Sequence, residues 1–460
     1  MAASNQHRLS TIARISRMLV VLTIVVGAVA LSRTMMGCGG GGSVATNEAF
    51  TPPGAITFAG ATFFGGSGDQ RGTAIAINNG SIYLSGDVQP ETQAASDSAL
   101  VLNYAIPTTQ GSVPAWSRSF AFGTDFYGIA ATSEGVYADG WNYSLSTDNV
   151  GGKEVKSIMA KFALDGSGGA GAGGSIWEST PNFFSYSGVE LFQAATMSVE
   201  SGSNFVYAAG LGQPCSFDAY IIAKFDSSGN LIASATDSSV GIQFNQCFVP
   251  SAGSSDIPGL AVVDGGLYAA GESGWQSEGD SVGRPTVWKY DPSLNLIWRG
   301  KDASLNGTFN AVTGLASSIY AVGYSTTGVT GGEDFLVEKY DESGNLIWRK
   351  TSGGPNTDEL TGVTALGNRL FAVGYTKSQG SGGADAVLLE IDPASGNTLS
   401  TTVFGGPEDD KANGVATDGT DLYVVGESRS FASAAGNAVG QNDVMLLRYS
   451  LDSTARRLQQ

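Results

Sequence analysis

The chain has 460 residues, of which only 14% are charged, while 65 are glycine and 10% are aromatic. That length is ample for a large buried core, and the composition suits an all-β chain rich in turns better than a helical one. Acids outnumber bases 42 to 24, for a net charge of −18, which excludes the basic face a phosphate backbone demands and with it nucleic acid as a partner.

The first element in chain order is a leader. Arg8, Arg14 and Arg17 precede the apolar run Met18–Leu31, and no acid occurs before Glu48. Basic residues, an apolar stretch and then small residues read as a secretory signal over residues 1–37. The run is about 14 residues, short of the roughly 20 that a spanning helix needs; an uncleaved N-terminal anchor is the alternative. Met35-Met36-Gly37-Cys38 follows, ahead of GGGGS. It resembles the bacterial lipobox, which implies lipidation of Cys38 and a flexible tether over residues 38–55. Met35 stands where the lipobox has leucine and Arg33 intrudes upstream, so an ordinary cleavage site beside an incidental cysteine is the other reading. Export also permits a disulfide between Cys215 and Cys247, with two separate buried thiols as the alternative.

From residue 56 the chain repeats itself. SIYLSG (Ser81–Gly86) returns as GVYADG (Gly135–Gly140), FVYAAG (Phe205–Gly210), GLYAAG (Gly266–Gly271), SIYAVG (Ser318–Gly323), RLFAVG (Arg369–Gly374) and DLYVVG (Asp421–Gly426). The aromatics are 54, 70, 61, 52, 51 and 52 residues apart. The unit is clearest around Phe309–Asp358. AVTGLA and SIYAVGYS read as two strands, DFLVEKYD as a third, DESGN as a hairpin turn and LIWRKTSGG as a fourth strand. YDPSLNLIWRG, from Tyr290, repeats the last part. Four short antiparallel strands per repeat, seven times over, describe a seven-bladed β-propeller. Period-two alternation gives each strand two apolar faces, so each blade packs on both neighbours. Trp116, Trp177, Trp298 and Trp348 fall at equivalent places and are expected to pack between blades.

The seventh repeat ends at LLRYSLDST (Leu446–Thr454) without a fourth strand, and residues 455–460 form a tail. ATFFGGSGDQRGTAIA near the front matches TTVFGGPEDDKANGVA (Thr401–Ala416), the end of one blade running into the next. The strand missing at the back is therefore expected at the front, with Thr57–Phe64 closing the ring and covering an edge. FGGSGDQRGTAIAI…SIYLSG and DFLVEKYDESGNLIWRKTSGG resemble the bacterial cell-surface β-propeller repeat, of SBBP type. The resemblance covers about residues 56–453, within a propeller domain expected over 56–454. It implies an exported, often anchored protein, and it is specific for architecture rather than activity. The second and third repeats depart most, with long insertions and no FGG.

The single histidine is His7, inside the leader. Without it the mature chain has no Ser-His-Asp or Cys-His catalysis, no histidine-ligated zinc and no histidine base. GAGAGG (Gly169–Gly174) has G-x-G-x-x-G spacing but lies at a hairpin tip, not between a strand and a helix. Glu408-Asp409-Asp410, Glu333-Asp334 and Asp358-Glu359 are the local acidic groups. They are expected to cap water-facing turns, with calcium binding or glycoside cleavage as rarer readings. Asp97, Asp218, Asp334, Asp385 and Asp443 recur before third strands, where one residue fixes one repeated turn. No catalytic residue, cofactor or metal is expected.

The segments that break the repeat are Gln89–Ser96, Leu145–Lys153, Ala233–Ser255 and Gly274–Pro285. Insertions in repeat proteins collect on a binding face. Trp141, Tyr143 and Trp275 follow second strands there and are candidate ligand contacts through ring stacking. The resulting expectation is a non-enzymatic monomer, lipid-anchored at the outer membrane or cell surface or else secreted, that binds protein or polysaccharide at the cell envelope. A carboxylate-based glycan-active enzyme and an envelope-assembly scaffold are the alternatives.

Overall fold

A computed structural model describes residues 55–66, 68–89, 97–120, 123–142, 156–169, 171–181, 189–200, 203–213, 219–236, 259–273, 283–328, 332–431 and 441–451, with the backbone alone at 189–200, 211–213, 219–220 and 236. By internal contacts the chain divides into Met1–Thr51 and Pro52–Gln460; every described residue lies in the second unit. Cys38, Tyr143, Cys215, Cys247 and Trp275 fall outside the described residues, as do the leader and most of the tether.

Seven four-stranded antiparallel sheets make up that unit. They span residues 69–120, 124–179, 189–236, 259–301, 307–352, 358–404 and 410–451, and are numbered here as blades one to seven. In the first six, the strands lie in sequence order. Blade five shows the pattern: Gly307–Leu315, Ser318–Ser325, Asp334–Asp341 and Leu346–Ser352. The first strand is longer than AVTGLA because Gly307, Thr308 and Phe309 join the ladder before a bulge at Asn310.

Blade seven is assembled from both ends of the described chain. Ile56–Phe64 pairs antiparallel with Asp443–Leu451, Ile56 opposite Leu451 and Phe64 opposite Val444. The ring is therefore closed by the N-terminal strand, as the truncated seventh repeat required.

The core is divided among the seven seams. Ile319 and Ala321 pack towards blade four beside Tyr268, Val287 and Leu336, whereas Tyr320 and Val322, one residue out of phase, pack towards blade six beside Leu370, Ala372 and Leu389. One alternating strand thus supplies two cores. Fourth strands differ at their beginnings: Leu296, Ile297, Leu346 and Ile347 are 40–54% exposed, because the outermost strand has no further blade to cover that end.

The repeated phrases are the seams' hardware. Asp341 Oδ1 accepts from the N–H groups of Ser343 and Asn345, and its Oδ2 from Asn345 Nδ2. This closes the turn between the third and fourth strands. Asp291–Asn295 and Asp226–Asn230 repeat the arrangement. The tryptophan of the preceding blade then grips that turn. Trp298 Nε1 donates to Glu342 O at 2.9 Å, Trp348 Nε1 to Pro393 O at 3.3 Å, Trp177 Nε1 to Ser227 O at 3.2 Å and Trp116 Nε1 to Leu164 O at 3.1 Å. Lys339 Nζ reaches the same Pro393 carbonyl at 3.0 Å while lying over the Tyr320 ring. The four tryptophans are inter-blade packing residues, as their spacing predicted.

A second set of links runs around the inner strands. Six of the seven have one bulge, and in blades one, five, six and seven the bulged residue turns its side chain to the next blade. Thr73 Oγ1 donates to Phe126 O at 2.7 Å, Asn310 Nδ2 to Leu360 O at 2.8 Å and Thr361 Oγ1 to Ala412 O at 2.8 Å. Asn413 Nδ2 donates to Gly72 O at 2.8 Å, which carries the belt across the closing seam.

Candidate functional site

Gly-Gly turns join several outer strands to the next inner one, and a side chain four residues on folds back to cap them, Gln70 at Gly66 and an acid at Gly354 and Gly406. Gly354 N–H donates to Asp358 Oδ2 at 2.7 Å and Gly406 N–H to Asp410 Oδ2 at 2.8 Å. The second strand's hydroxyls, Thr376 Oγ1 and Ser428 Oγ, occupy the other oxygens of these acids. Asp358 and Asp410 are buried, so the expectation that these acids face water is corrected for these two: they are internal turn fasteners. Asp409 takes the Ala384 N–H at 2.8 Å. Asp385 accepts from Ser381 N–H at 2.8 Å, the turn role expected of it. Asp218 lies outside the described residues.

One residue further along, the inner strands present a different set of groups at one end of the ring. Arg71, Asp125, Glu359 and Lys411 stand at equivalent positions, opposite Asp87, Trp141, Tyr375 and Glu427 of the second strands. Arg71 makes a forked contact with Asp87, its Nη2 2.9 Å and its Nε 3.1 Å from the carboxylate. Tyr375 Oη donates to Glu359 Oε2 at 2.5 Å, and Asn310 Nδ2 to Glu359 Oε1 at 2.9 Å. Lys411 Nζ lies 5.0 Å from the Tyr375 ring centre and 4.0 Å from Glu427 Oε1. Contacts therefore run from blade five through six to seven, and the charges of Glu427 and Arg71 interact across the closing seam.

Blade two breaks this pattern. Its bulge residue is Tyr127 instead of a threonine or asparagine, and it lies parallel to Trp141 with ring centres 6.4 Å apart. Both rings are half-buried. Asp125, opposite Trp141, is buried with Oδ1 lacking a hydrogen-bond partner. Burial first, then the charges of Asp87 and Asp97, push its carboxyl up to about 7. Burial also raises Asp87 despite Arg71, and raises Glu427 against Lys411 and Arg71. The mouth thus offers an aromatic stack, two cations and several acids whose charge is costly to keep.

Trp141 is the one ligand-contact candidate among the described residues, and it lies in this cluster. Arg71, Asp87, Asp125 and Tyr127 were not singled out from sequence. Aligning QRGTA, TDFYG, DELTG and DKANG would have exposed Arg71, Asp125 and Tyr127, because charged residues occupy one register position while Tyr127 replaces a small polar residue. Among the described residues no group of three or more His, Cys, Asp or Glu side chains could hold a metal ion.

The connections between second and third strands, and those from each fourth strand to the next blade, leave an antiparallel blade at the same end. All four segments that break the repeat are connections of these kinds. The strands flanking them end on the face that carries Trp141 and the Arg71–Lys411 belt.

No protein-family model matches the chain, and no curated protein matches it in sequence. Solved structures are similar in fold alone. Sqt1 from Chaetomium thermophilum is 10% identical with a TM-score of 0.45, covering 81% of this chain and 83% of that one. A europium-containing methanol dehydrogenase is 9% identical with a TM-score of 0.43, covering 86% and 92%. At this distance neither name informs the function of this chain.

Proposed function

We propose that this chain is an exported, lipid-anchored propeller of the bacterial cell-surface repeat type that acts without catalysis, as a binding or scaffold module at the cell envelope. The observation that carries the binding reading is the segregation of its irregularities. Scaffold residues repeat around the ring, whereas the strands that flank the repeat-breaking segments end on the face that carries the Tyr127–Trp141 stack. Binding surfaces of repeat proteins are built this way, since the repeat fixes the frame and leaves the connections free to vary. Stacked aromatics flanked by Arg71 and Asp125 suit a ligand with both flat apolar and hydrogen-bonding surfaces, such as a sugar ring or a peptide side chain. The lack of any histidine beyond His7 supports a non-catalytic role.

The test is photo-crosslinking in intact cells, with the reactive group placed at Trp141 or, on the opposite face, at Ser343. Partners captured from Trp141 and not from Ser343 are expected. Equal capture from both, or capture from Ser343 alone, overturns the assignment of the face. Once a partner is in hand, Trp141→Ala should weaken it about tenfold or more, the range of an aromatic anchor. Fatty-acid labelling with Cys38→Ala as control tests the anchor separately: label retained by the variant refutes lipidation at Cys38.

A further inference from the structure

The third strands carry a position that faces the preceding blade at every seam. It holds Leu102, Ala160, Ala223, Trp288, Leu389 and Leu447 in six blades and Glu338 in blade five, all opposite the residue after the second-strand aromatic. Glu338 is 0% exposed. A carboxyl placed where the repeat demands an apolar side chain needs partners, and blade four supplies one of them.

Arg349, directly across from Glu338 on the fourth strand, places Nη2 2.9 Å from Asp302 Oδ2 and Nε 3.4 Å from Glu338 Oε1. Its Nη1 donates to Ser304 Oγ at 2.8 Å. Asp302 and Ser304 belong to the connection that leaves blade four for blade five. Tyr340 Oη donates to Glu338 Oε2. The rest of the surroundings is uncharged. Ala321 lies opposite on the second strand, the Tyr340 ring stacks on Trp298 of blade four with centres 6.4 Å apart, and Gly300 sits against that ring. The titratable and charged groups facing Glu338 are therefore Arg349, Asp302 and Tyr340. One guanidinium serves two acids, and its shorter contacts are all with blade four.

We propose that Glu338 is held protonated at the seam between blades four and five, and that loss of this proton to solvent shifts Arg349 from Asp302 towards Glu338 and loosens the 302–305 connection. With Glu338 neutral the cluster has one cation and one anion. Ionising it leaves a second buried anion competing for the same guanidinium, which is costly in a low-dielectric seam. Burial, followed by the hydrogen bond and the charge of Asp302, pushes the Glu338 carboxyl up to about 8. Burial alone would raise Asp302 as well, but hydrogen bonds from Glu338 and Ser304 and the charge of Arg349 hold it below its usual value. Both directions agree with a proton on Glu338 beside an ionised Asp302 that Arg349 and Ser304 hold. The path to solvent lies along Arg349, whose side chain is 30% exposed.

The native-state value lies above the unfolded one, so the stability that Glu338 contributes is complete below the usual carboxylate range. It declines as pH rises and stops changing above the native-state value. The test compares chemical denaturation of the full chain with that of Glu338→Gln, from pH 4.5 to 9.5. Relative to the variant, the wild-type folding constant should fall by up to about tenfold per pH unit until near pH 8 and then run parallel. Parallel curves throughout overturn the proposal. Should Glu338→Gln fail to fold, Glu338→Leu, the residue of blades one, six and seven, replaces it in the same comparison. Hydrogen exchange corrected for its intrinsic pH dependence reads the second half. Protection over residues 302–305 and 346–352 should drop between pH 7 and 9 in the wild type but not in the variant. Unchanged protection in the wild type overturns the loosening.

Discussion

Asp139 sits on the second strand of blade two, in the register filled by Ser85, Ala209, Ala270, Val322, Val373 and Val425 elsewhere. It is fully buried, and neither carboxylate oxygen completes a hydrogen bond. Burial holds its carboxyl well above the ordinary range, against a smaller opposing pull from the N–H groups of Asp139 and Gly128. Asp139→Ala, which restores what blades three and four carry, should therefore stabilise the protein at pH 7 by about 1–3 kcal/mol, the scale of an unsatisfied buried polar group. The native-state value is raised, so the cost of Asp139 is small below pH 4 and grows as pH increases. The gain from the alanine should shrink accordingly on acidification, and urea denaturation at pH 4 and 7 checks both points. A variant less stable than the wild type at pH 7 would mean that the carboxyl has a role the seam depends on. Asp139 was visible in GVYADG, but its cost was not: a sequence shows that a residue breaks the register, not that its surroundings fail to meet its hydrogen-bonding needs.

The recurring element is the hairpin of the third and fourth strands, and its glycine has a definite job. Gly344 has φ +85°, and a Cβ there would come within 2.7 Å of the Trp298 ring of the preceding blade. Gly344→Ala combines backbone strain with a collision against a packed indole and should cost roughly 2–4 kcal/mol. Trp298→Phe keeps most of the ring but loses the bond to Glu342 O, at about 1 kcal/mol. Thermal denaturation of the two variants and of their combination measures the coupling. Additive losses would show that the glycine and the tryptophan act separately, against the contact described here. DESGN was legible as a turn from its own residues. Why the tryptophan follows it was legible only as recurrence, since the group it touches lies one blade away.

At the scale of the ring, closure depends on nine residues. A chain that starts at residue 65 leaves one edge of the third strand of blade seven unpaired and uncovers the seam holding Met445, Leu447 and Tyr449. It should aggregate or lose cooperative unfolding, whereas a chain that starts at residue 52 should keep the full-length melting temperature. A monomeric product from residue 65 with unchanged stability would refute closure by this strand. The belt of bulge residues makes a finer point. Asn413→Ala at the closing seam and Thr361→Val at an internal one each remove one inter-blade hydrogen bond of equal length. Each should cost about 1 kcal/mol, so the closing seam should prove no weaker there than a continuous one.

Strand count, blade number, the packing role of the tryptophans and the closing strand were all determined by the sequence. Each is a local pattern multiplied seven times, and repetition averages away the ambiguity of any single copy. The seams were decided only in three dimensions. A third-strand position becomes buried because another blade lies over it, so Glu338 acquires Asp302 as a neighbour across 36 residues of chain, and Arg71 meets Tyr127 across a blade boundary. Burial turns ordinary acids into groups that hold protons. No single-residue signal carries that information, because the low dielectric is made by neighbours distant in sequence.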